Sequence, residues 1–409
     1  MKRRDFLGAT LMGAALSPLP EMPQRSDLSY LKNMTAQVKP LDVSDYERRI
    51  EKARGLMRQR RIAALYLNGG TSMRYFTGVQ WGLSERMFAA VIPTNGELIY
   101  VCPGFEEQRA REQIKIGKDI RPWQEHQDPY VLVRKSLADR NIITGDIAIE
   151  PTVRFFVLDG LRKAATGLRF VSGKPISDGC RMVKDAKELE YMLLANQITK
   201  QAYRAALGIL REGMSQEELA GTIGRAYSML GARGTVAVSF GPNSAFPHGS
   251  MVRRSLREGD VVLVDDGCTV EGYQSDVTRT VVFGKPSRKQ IEVFNVVHEA
   301  QAAARRTARA GVPCEDVDAA ARGVIEKAGY GPDYKYFTHR LGHGIGMDIH
   351  EEPYLVRGNK LTLQPGMTFS DEPGIYIYGE FGIRLEDIMR ITGDGCEFLG
   401  ETQDAIDRP

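Results

Sequence analysis

Histidine is scarce in this chain of 409 residues, and four of its six histidines lie close to acidic clusters in the second half. These four are His248, His339, His343 and His350. Imidazole and carboxylate side chains are the groups that bind divalent metal ions and move protons in active sites. Their combination predicts a metal-dependent or acid–base site in the second half of the chain.

The first acidic stretch begins where the apolar run 261–264 ends at Asp265, and Asp276 follows eleven residues later. A turn centred on Val270 and Glu271 would place the two aspartates directly opposite each other. Directly opposite side chains have their Cβ atoms about 4.5–5.5 Å apart. Two unpaired carboxylates at that separation resist ionisation. The pattern therefore predicts a positive group between them, and two metal ions about 3.5–4 Å apart would fit.

The second stretch contains His339, His343 and His350. The spacing of four between His339 and His343 would make a zinc pair on a helix. Glycines at 342, 344 and 346 disfavour a helix. Glycines that flank a histidine instead indicate a close approach of the backbone to a ligand or an ion.

The third stretch contains Glu372 and Glu386, which are equidistant from Gly379. A hairpin that turns at Gly379 would bring these acids together, and Arg384 would share a strand face with Glu386. Each stretch alone could be an ordinary solvated turn. Together they supply four carboxylates and one imidazole, a donor set that suits manganese or cobalt, with zinc or iron as alternatives.

Two domains must position these residues. Residues 40–178 read as an α/β domain without a catalytic cluster, beginning with a helix that Ser44 can cap. A linker is predicted over 173–184. Residues 185–409 read as an α+β domain, because helical stretches interrupt strands of an antiparallel sheet. The predicted helices are 186–210, 216–230, 288–309 and 315–328, and the predicted strands lie around 236–240, 261–265, 273–283 and 368–391.

The motifs over residues 248–390 resemble those of the pita-bread metallopeptidases, most closely the Xaa-Pro dipeptidases (prolidases) and Xaa-Pro aminopeptidases. They are Asp265-Asp-Gly, Gly-Tyr-Gln-Ser-Asp276-Val-Thr-Arg-Thr, Gly-His343-Gly-Ile-Gly, Asp-Glu372-Pro-Gly-Ile-Tyr and Gly-Ile-Arg-Leu-Glu386-Asp. The resemblance implies a C-terminal pita-bread catalytic domain after a creatinase-like N-terminal domain. It also implies a homodimer.

The resemblance further implies a role for each site residue. The metal ligands would be Asp265, Asp276, His343, Glu372 and Glu386. Asp276 and Glu386 would bridge two divalent ions, and Glu372 would take the proton from the metal-bound water. His248 would lie near the scissile bond, and His350 would help to stabilise the oxyanion. His339, Tyr376 and Arg384 would shape the substrate pocket and support the network.

The implied reaction is hydrolysis of the Xaa-Pro bond in dipeptides or short peptides by a metal-bridged hydroxide. Two metal ions that share a water molecule lower its pKa toward neutrality. The Xaa-Pro amide has no N–H, so a site that grips the free α-amine and the proline ring would act as an exopeptidase. The choice between dipeptidase and aminopeptidase stays open in the sequence.

Other functions of the same fold are alternatives. The stretch from Gly342 to Pro353 also resembles methionine aminopeptidases, but the Arg-Leu-Glu386-Asp motif and the additional N-terminal domain disfavour them. Relatives that act on non-peptide substrates, such as ectoine hydrolases or dimethylsulfoniopropionate lyases, keep their metals and stay open. A creatinase-like or non-catalytic protein is disfavoured because the full ligand set is present.

Composition and the N-terminus bear on location and partners. A basic start, a short apolar core and a proline-rich exit over residues 1–25 resemble a twin-arginine export signal with its leader, which predicts a periplasmic or exported protein. The net charge of +3 gives no basis for nucleic-acid binding. No apolar run reaches the roughly 20 residues of a membrane span. The five cysteines form no Cys-x-x-Cys pair, which excludes a cysteine zinc site.

Overall fold

The computed structural model describes residues 27–409, so the predicted export signal and leader lie outside the described residues. The first domain is a mixed sheet covered by helices, with strand order β4-β3-β2-β1-β5-β6. Its strands are β1 (Ile62–Asn68), β2 (Ala89–Pro93), β3 (Ile99–Pro103), β4 (Asp119–Trp123), β5 (Gly145–Ile149) and β6 (Leu168–Ser172). Its helices are α1 (Val43–Arg60), α2 (Thr71–Thr77), α3 (Glu107–Gln113), α4 (Pro129–Ala138), α5 (Phe155–Ala164) and α6 (Lys174–Arg181).

The alternation of side chains in β1 explains why this sheet is covered on both faces. Leu65 and Leu67 face the core that contains α1, α2 and α6, whereas Ala64 and Tyr66 face the core formed with α4 and α5. Successive residues of a strand point to opposite faces, so an apolar strand of this kind must be buried on both.

The first helix is capped two residues earlier than predicted. Asp42, not Ser44, is the N-cap: its side chain accepts hydrogen bonds from the backbone N–H groups of Ser44 and Asp45, and Asp45 accepts from the Asp42 N–H in return. Ser44 already has its own backbone in the helix, so it cannot supply the extended N-cap conformation that Asp42 adopts.

Part of the stretch that was predicted as a linker is helical. Helix α6 buries Ile176 and Cys180 in the core shared with α1. Lys52 of α1 donates hydrogen bonds to the carbonyl oxygens of Cys180 (2.7 Å) and Val183 (3.1 Å). The connection between the two domains is therefore fixed to the first domain by packing and by hydrogen bonds.

The second domain combines helices with antiparallel strands, which confirms the α+β prediction. Its helices are α7 (Ala186–Leu207), α8 (Gln216–Met229), α9 (Arg288–Thr307) and α10 (Cys314–Lys327). Its strands are β7 (Arg233–Gly234), β8 (Ala237–Phe240), β9 (Val261–Asp265), β10 (Cys268–Val270), β11 (Tyr273–Gln274), β12 (Arg279–Val282), β13 (Gly342–Gly344), β14 (Glu351–Leu355), β15 (Thr368–Asp371), β16 (Gly374–Ile377), β17 (Phe381–Arg384), β18 (Asp387–Ile391) and β19 (Cys396–Phe398). The sheets have the orders β12-β9-β8, β14-β13-β15-β18-β19, β16-β17 and β11-β10-β7.

The two domains share a continuous hydrophobic core and a buried polar link. Met57 and Leu65 belong to the same core as Tyr273 of the second domain. Arg49 donates to the Tyr273 hydroxyl over 2.7 Å, and that hydroxyl donates to Glu188 over 2.8 Å. Directional hydrogen bonds between buried polar groups favour one relative arrangement of the elements that carry them. Within the described residues, no helix is both long and apolar enough to cross a membrane.

Candidate metal centre

The register of the first acidic hairpin differs from the prediction. Val270 pairs with Tyr273, and further along Val264 pairs with Arg279, so the turn is centred on Glu271 and Gly272. Both turn residues have positive φ angles, 50° and 94°, as a two-residue type I′ turn requires. The prediction that the two aspartates lie directly opposite each other was therefore wrong.

The corrected register still gathers the two acids. Thr278, not Asp276, stands opposite Asp265, and its Oγ1 lies 2.7 Å from Asp265 Oδ1. Asp276 and Thr278 lie in the segment that joins β11 to β12, where the Val277 N–H donates to the Asp266 carbonyl oxygen over 3.1 Å and continues the pairing. Being two residues apart, they project to the same side. Asp276 is a diagonal neighbour of Asp265, whose charge contributes to raising the pKa of Asp276 after burial, the larger cause.

The second acidic hairpin has the predicted register. Gly374 pairs with Arg384, and the pairing is centred on Gly379, which has a φ of 84°. The same register continues into β15 and β18, where Asp371 pairs with Asp387. Glu372 and Glu386 are therefore opposite each other, as predicted.

His343 lies in strand β13, which confirms that its glycine-rich surroundings are not helical. The close approach that the glycines allow is between strands. A Cβ on Gly342 would lie 1.9 Å from the Ser370 carbonyl oxygen, and one on Gly344 would lie 2.2 Å from the Glu352 carbonyl. The glycines thus allow the neighbouring backbones to pack closely around His343, and a close approach of this backbone to a ligand or an ion stays a prediction.

The five predicted ligands come together in one buried cluster. One side-chain ligand atom each of Asp276, His343 and Glu386 lie within 4.8 Å of one another. Glu372 Oε1 lies 3.3 Å from His343 Nε2. Asp265 joins the cluster through Thr278, whose Oγ1 is 2.7 Å from Asp265 Oδ1 and 2.7 Å from Glu386 Oε2.

The Thr278 hydroxyl and the Arg384 guanidinium form hydrogen bonds and an ion pair with the acids of the cluster. Arg384 Nη2 lies 2.5 Å from Asp265 Oδ2, and Arg384 Nε donates to Thr278 Oγ1 over 3.1 Å. The sequence interpretation gave Thr278 no role. The available signal was its position two residues after Asp276, which places both side chains on the same side.

Burial and mutual repulsion dominate the electrostatics of the four acids. Burial, followed by the charges of neighbouring acids, raises the pKa values of Asp276 and Glu386 well above their usual range. Burial outweighs the effect of Arg384 and raises the pKa of Glu372 to about 7. The pKa of Asp265 alone is lowered, because the charge of Arg384 and the Thr278 hydrogen bond together exceed the opposing effect of burial. Arg384 thus opposes the pKa increase at all four carboxylates, but only at Asp265 is the net shift downward.

His343 presents a neutral nitrogen to the acids. Its Nδ1 lies 3.2 Å from the Gly344 carbonyl oxygen, which can only accept, so Nδ1 carries the proton. The lone pair of Nε2 then faces Glu372 Oε1 at 3.3 Å and Asp276 Oδ2 at 3.6 Å. Burial, with a contribution from His350, lowers the pKa of His343 to about 3. A neutral imidazole held in one tautomer by a backbone carbonyl is the form that binds metal ions.

The residues fit divalent metal ions. Glu386 Oε1 is buried and has no hydrogen-bond partner among the described residues. Such an orphaned oxygen is destabilising unless a cation satisfies it. Carboxylate oxygens with one imidazole are ordinary ligands for divalent first-row metals.

The remaining predicted site residues surround this cluster. The Tyr376 hydroxyl lies 2.7 Å from His339 Nε2 and accepts a hydrogen bond from Arg384 Nη1 over 2.8 Å. Burial, with Arg384 adding, lowers the pKa of His339 to about 3. His350 is exposed, and its ring centroid lies 4.0 Å from that of His343. His248 is also exposed, and Arg384 Nη1 donates to the carbonyl oxygen of the preceding Pro247 over 3.1 Å.

The two-domain fold and the buried cluster of acids with one neutral histidine fit a metal-dependent enzyme. Residues 190–393 match the family model Metallopeptidase family M24, and residues 49–183 match Creatinase/Prolidase N-terminal domain. The chain belongs to metallopeptidase family M24, and it is a hydrolase of the metallo-exopeptidase class. Membership of this family implies divalent metal ions.

Individual relatives agree with this assignment over nearly their full length. The Xaa-Pro dipeptidase of Lactobacillus helveticus is 34% identical over 347 residues, which are 82% of this chain and 92% of the relative. The solved structure of dipeptidase PepE from Mycobacterium ulcerans is 33% identical with a TM-score of 0.83, covering 90% of this chain and 99% of that one. The recombinant prolidase from Thermococcus sibiricus is 34% identical with a TM-score of 0.80, covering 88% and 98%.

Proposed function

We propose that this chain is an Xaa-Pro dipeptidase that holds two divalent metal ions. The ligands would be Asp265, Asp276, His343, Glu372 and Glu386. The observation that carries the proposal is the geometry of the cluster: one ligand atom each of Asp276, His343 and Glu386 lie within 4.8 Å of one another, and Glu386 Oε1 has no hydrogen-bond partner among the described residues. Burial raises the pKa values of Asp276, Glu372 and Glu386, and the imidazole is held neutral. When bound, two metal ions supply activation of a water molecule as nucleophile and polarisation of the substrate carbonyl.

Glu372 would carry out the proton transfers of the reaction. Its side chain is 14% exposed, whereas that of Glu386 is buried, so substrate and water can reach it. Ser370 Oγ donates to Glu372 Oε1 over 3.2 Å and orients the carboxylate. Glu372 would accept a proton from the attacking water and return it to the proline nitrogen as the bond breaks. His350, which is exposed, would donate a hydrogen bond to the developing oxyanion, and His248, which is also exposed, would lie near the scissile bond.

An arginine beside the cluster favours a dipeptide substrate. Tyr354 is the cross-strand partner of His343, so the two side chains share a face of the sheet. The Arg340 guanidinium lies 4.5 Å from the centre of the Tyr354 ring, and no described carboxylate forms an ion pair with it. The C-terminal carboxylate of a dipeptide lies only about 4 Å from the scissile carbonyl carbon. Arg340 is placed to receive that carboxylate, which a longer peptide lacks at this position.

The test compares an Xaa-Pro dipeptide with an Xaa-Pro-Yaa tripeptide on the manganese-loaded protein. We expect rapid hydrolysis of the dipeptide only. Arg340→Met should raise KM for the dipeptide about tenfold or more, because a hydrogen-bonded charge pair contributes about 1.5–3 kcal/mol. Arg357→Met is the matched control, since Arg357 also lies over a tyrosine ring, that of Tyr334, but pairs with Asp333. Preferred cleavage of the tripeptide would instead indicate an aminopeptidase, and cleavage of neither would indicate a non-peptide substrate.

Three further properties complete the proposal. The oxygen-rich donor set supports manganese as the bound metal, to be checked by activity after reconstitution with each divalent ion. The twin-arginine pattern in residues 1–25 supports export to the periplasm, and Arg3→Lys with Arg4→Lys should leave the protein in the cytoplasm. The homodimer implied by the family resemblance is testable by sedimentation equilibrium.

A further inference from the structure

A buried arginine of the interdomain helix holds the loop that carries His350. We define the histidine loop as residues 346–351. Arg181, near the C-terminal end of α6, has a side chain that is 7% exposed. Its Nη2 lies 2.5 Å from Asp348 Oδ2 and 2.5 Å from Glu351 Oε2. These two acids stand on either side of His350 in the chain, so one guanidinium forms ion pairs with the loop on both sides of the histidine.

Further hydrogen bonds connect the histidine loop to the first domain. Thr71 of α2 donates its hydroxyl to Asp348 Oδ1 over 2.6 Å. Arg181 Nη1 also lies 3.4 Å from the hydroxyl of Ser72 in the same helix. Lys184, just after α6, places its ammonium 2.5 Å from Glu351 Oε1. The histidine loop is therefore tied by charged and neutral hydrogen bonds to the first domain and to the interdomain connection.

His350 depends on this anchoring because little else holds it. Its side chain is exposed, and its described ring contact is the His343 ring, 4.0 Å away. The position of an exposed imidazole with so few described contacts is set mainly by the backbone that carries it. Glycine at position 346 leaves space for the ion pair between Lys184 and Glu351. A Cβ on Gly346 would lie 2.6 Å from Glu351 Oε1 and 2.8 Å from Lys184 Cε.

We propose that Arg181 is a positioning residue for His350, and that the first domain forms part of the active site by holding the histidine loop through Arg181 and Thr71. The inference rests on the proposed function for the role of His350 in the reaction. It gives a catalytic purpose to a domain in which the sequence shows no catalytic cluster. Buried ion pairs of this kind fix geometry, and removing one partner leaves the other charges uncompensated.

The kinetic test is a double-mutant cycle between Arg181 and His350. We expect Arg181→Met to lower kcat for an Xaa-Pro dipeptide about tenfold or more while KM changes less than about threefold, because a displaced oxyanion donor weakens the transition state only. Arg181→Lys should restore part of the loss. His350→Ala should cost much less in the Arg181→Met background than in the wild type. Metal content should be unchanged.

The control is Arg121→Met, which removes an arginine of the first domain that also pairs with two acids, Asp119 and Asp139. It should leave kcat unchanged. Additive losses from Arg181→Met and His350→Ala would overturn the proposal, because they would show that Arg181 acts independently of the histidine. A drop in kcat from Arg121→Met as large as that from Arg181→Met would also overturn it.

A second readout does not depend on activity. In hydrogen–deuterium exchange of the metal-loaded protein, Arg181→Met should accelerate exchange in peptides that cover the histidine loop and leave those covering β9 and β15 unchanged. Thr71→Val should produce the same local effect at smaller amplitude. If the wild type does not cleave Xaa-Pro substrates, the proposed function fails while this measurement still decides the anchoring. Unchanged exchange in the loop would refute the anchoring itself.

Discussion

Replacing Glu372 by glutamine should change how the stability of the metal-free protein depends on pH. Glu372 is a buried carboxyl group whose pKa is raised from 4.5 to about 7, mainly by burial. A group whose pKa is raised by folding contributes stability that is fully present below its unfolded pKa and is lost as the pH rises through its folded pKa. The wild type should therefore lose stability relative to Glu372→Gln between about pH 4.5 and pH 8.

The size of the effect follows from the two pKa values. A tenfold change in an acid dissociation constant corresponds to about 1.4 kcal/mol. Full ionisation of Glu372 therefore lowers the free energy of unfolding by about 3 kcal/mol. Integrated only from pH 5.5 to 8, the loss is about 2 kcal/mol. Folding lowers the pKa values of His339 and His343. Their contribution to the free energy of unfolding therefore decreases as the pH falls below about 6.5, the direction opposite to that of Glu372. Both proteins contain these histidines, so the comparison subtracts their contribution except for the part that comes from their direct contacts with Glu372.

The assay is urea unfolding of both proteins in a chelating buffer at several pH values from 5.5 to 8. The free energy of unfolding of the wild type, minus that of Glu372→Gln, should fall by about 2 kcal/mol across this range. Saturating manganese should abolish the trend, because a bound cation removes the penalty of ionising the carboxylate. Parallel pH dependences of the two metal-free proteins would refute the argument that this carboxyl group lies in a site short of positive charge.

Four further substitutions and one control test the site and its scaffold. Asp276→Asn and Glu386→Gln should each reduce bound metal, measured by plasma mass spectrometry, and abolish peptidase activity; full activity after removal of all metal would exclude the proposed mechanism. Thr278→Val removes a hydroxyl placed 2.7 Å from two carboxylates and should lower the free energy of unfolding in urea by about 2 kcal/mol, whereas an unchanged value would mean that the hydroxyl is dispensable. Gly342→Ala should destabilise the protein by about 3 kcal/mol because its Cβ would lie 1.9 Å from a carbonyl oxygen. Gly323→Ala, in the middle of α10 with open space at its Cβ, should have no such cost, and equal melting temperatures for the two alanine variants would contradict the steric argument.

The two acidic hairpins show what the sequence could and could not predict. The Glu372–Glu386 pairing was predicted correctly because a glycine stands at the midpoint and a positive φ is needed there. The Asp265–Asp276 pairing was predicted by the spacing of the acids alone, which placed the turn one residue too early. Turn chemistry would have corrected it, because a type I′ turn favours glycine at its second central position, and Gly272 is the glycine of this segment.

Contacts between distant segments were beyond the reach of sequence patterns. Periodicity indicates which face of an element is buried, and it gave the helices and most strands of the second domain. It does not indicate which buried cation meets which acid. Arg181 and Glu351 are separated by 170 residues, and the helix that carries Arg181 lies in a stretch whose composition predicted a linker.

The two exposed histidines, His248 and His350, are both held through their backbone segments. Under the proposed function both side chains meet substrate and stay exposed, so their positions depend on the segments that carry them. For His350 the segment is held by Arg181, through ion pairs with Asp348 and Glu351. For His248 it is held by Arg384, which donates to the carbonyl oxygen of Pro247 over 3.1 Å.

These two arrangements differ in what they couple. Arg384 also pairs with Asp265 and donates to Thr278, so the position of His248 is tied to the charge state of the metal cluster. Arg181 contacts the acids of the histidine loop and Ser72 of the first domain, so the position of His350 is tied to domain packing. Removal of metal should therefore disturb the His248 segment before the histidine loop. Hydrogen–deuterium exchange with and without metal would show this order, and faster exchange in the histidine loop than around His248 after metal removal would contradict it.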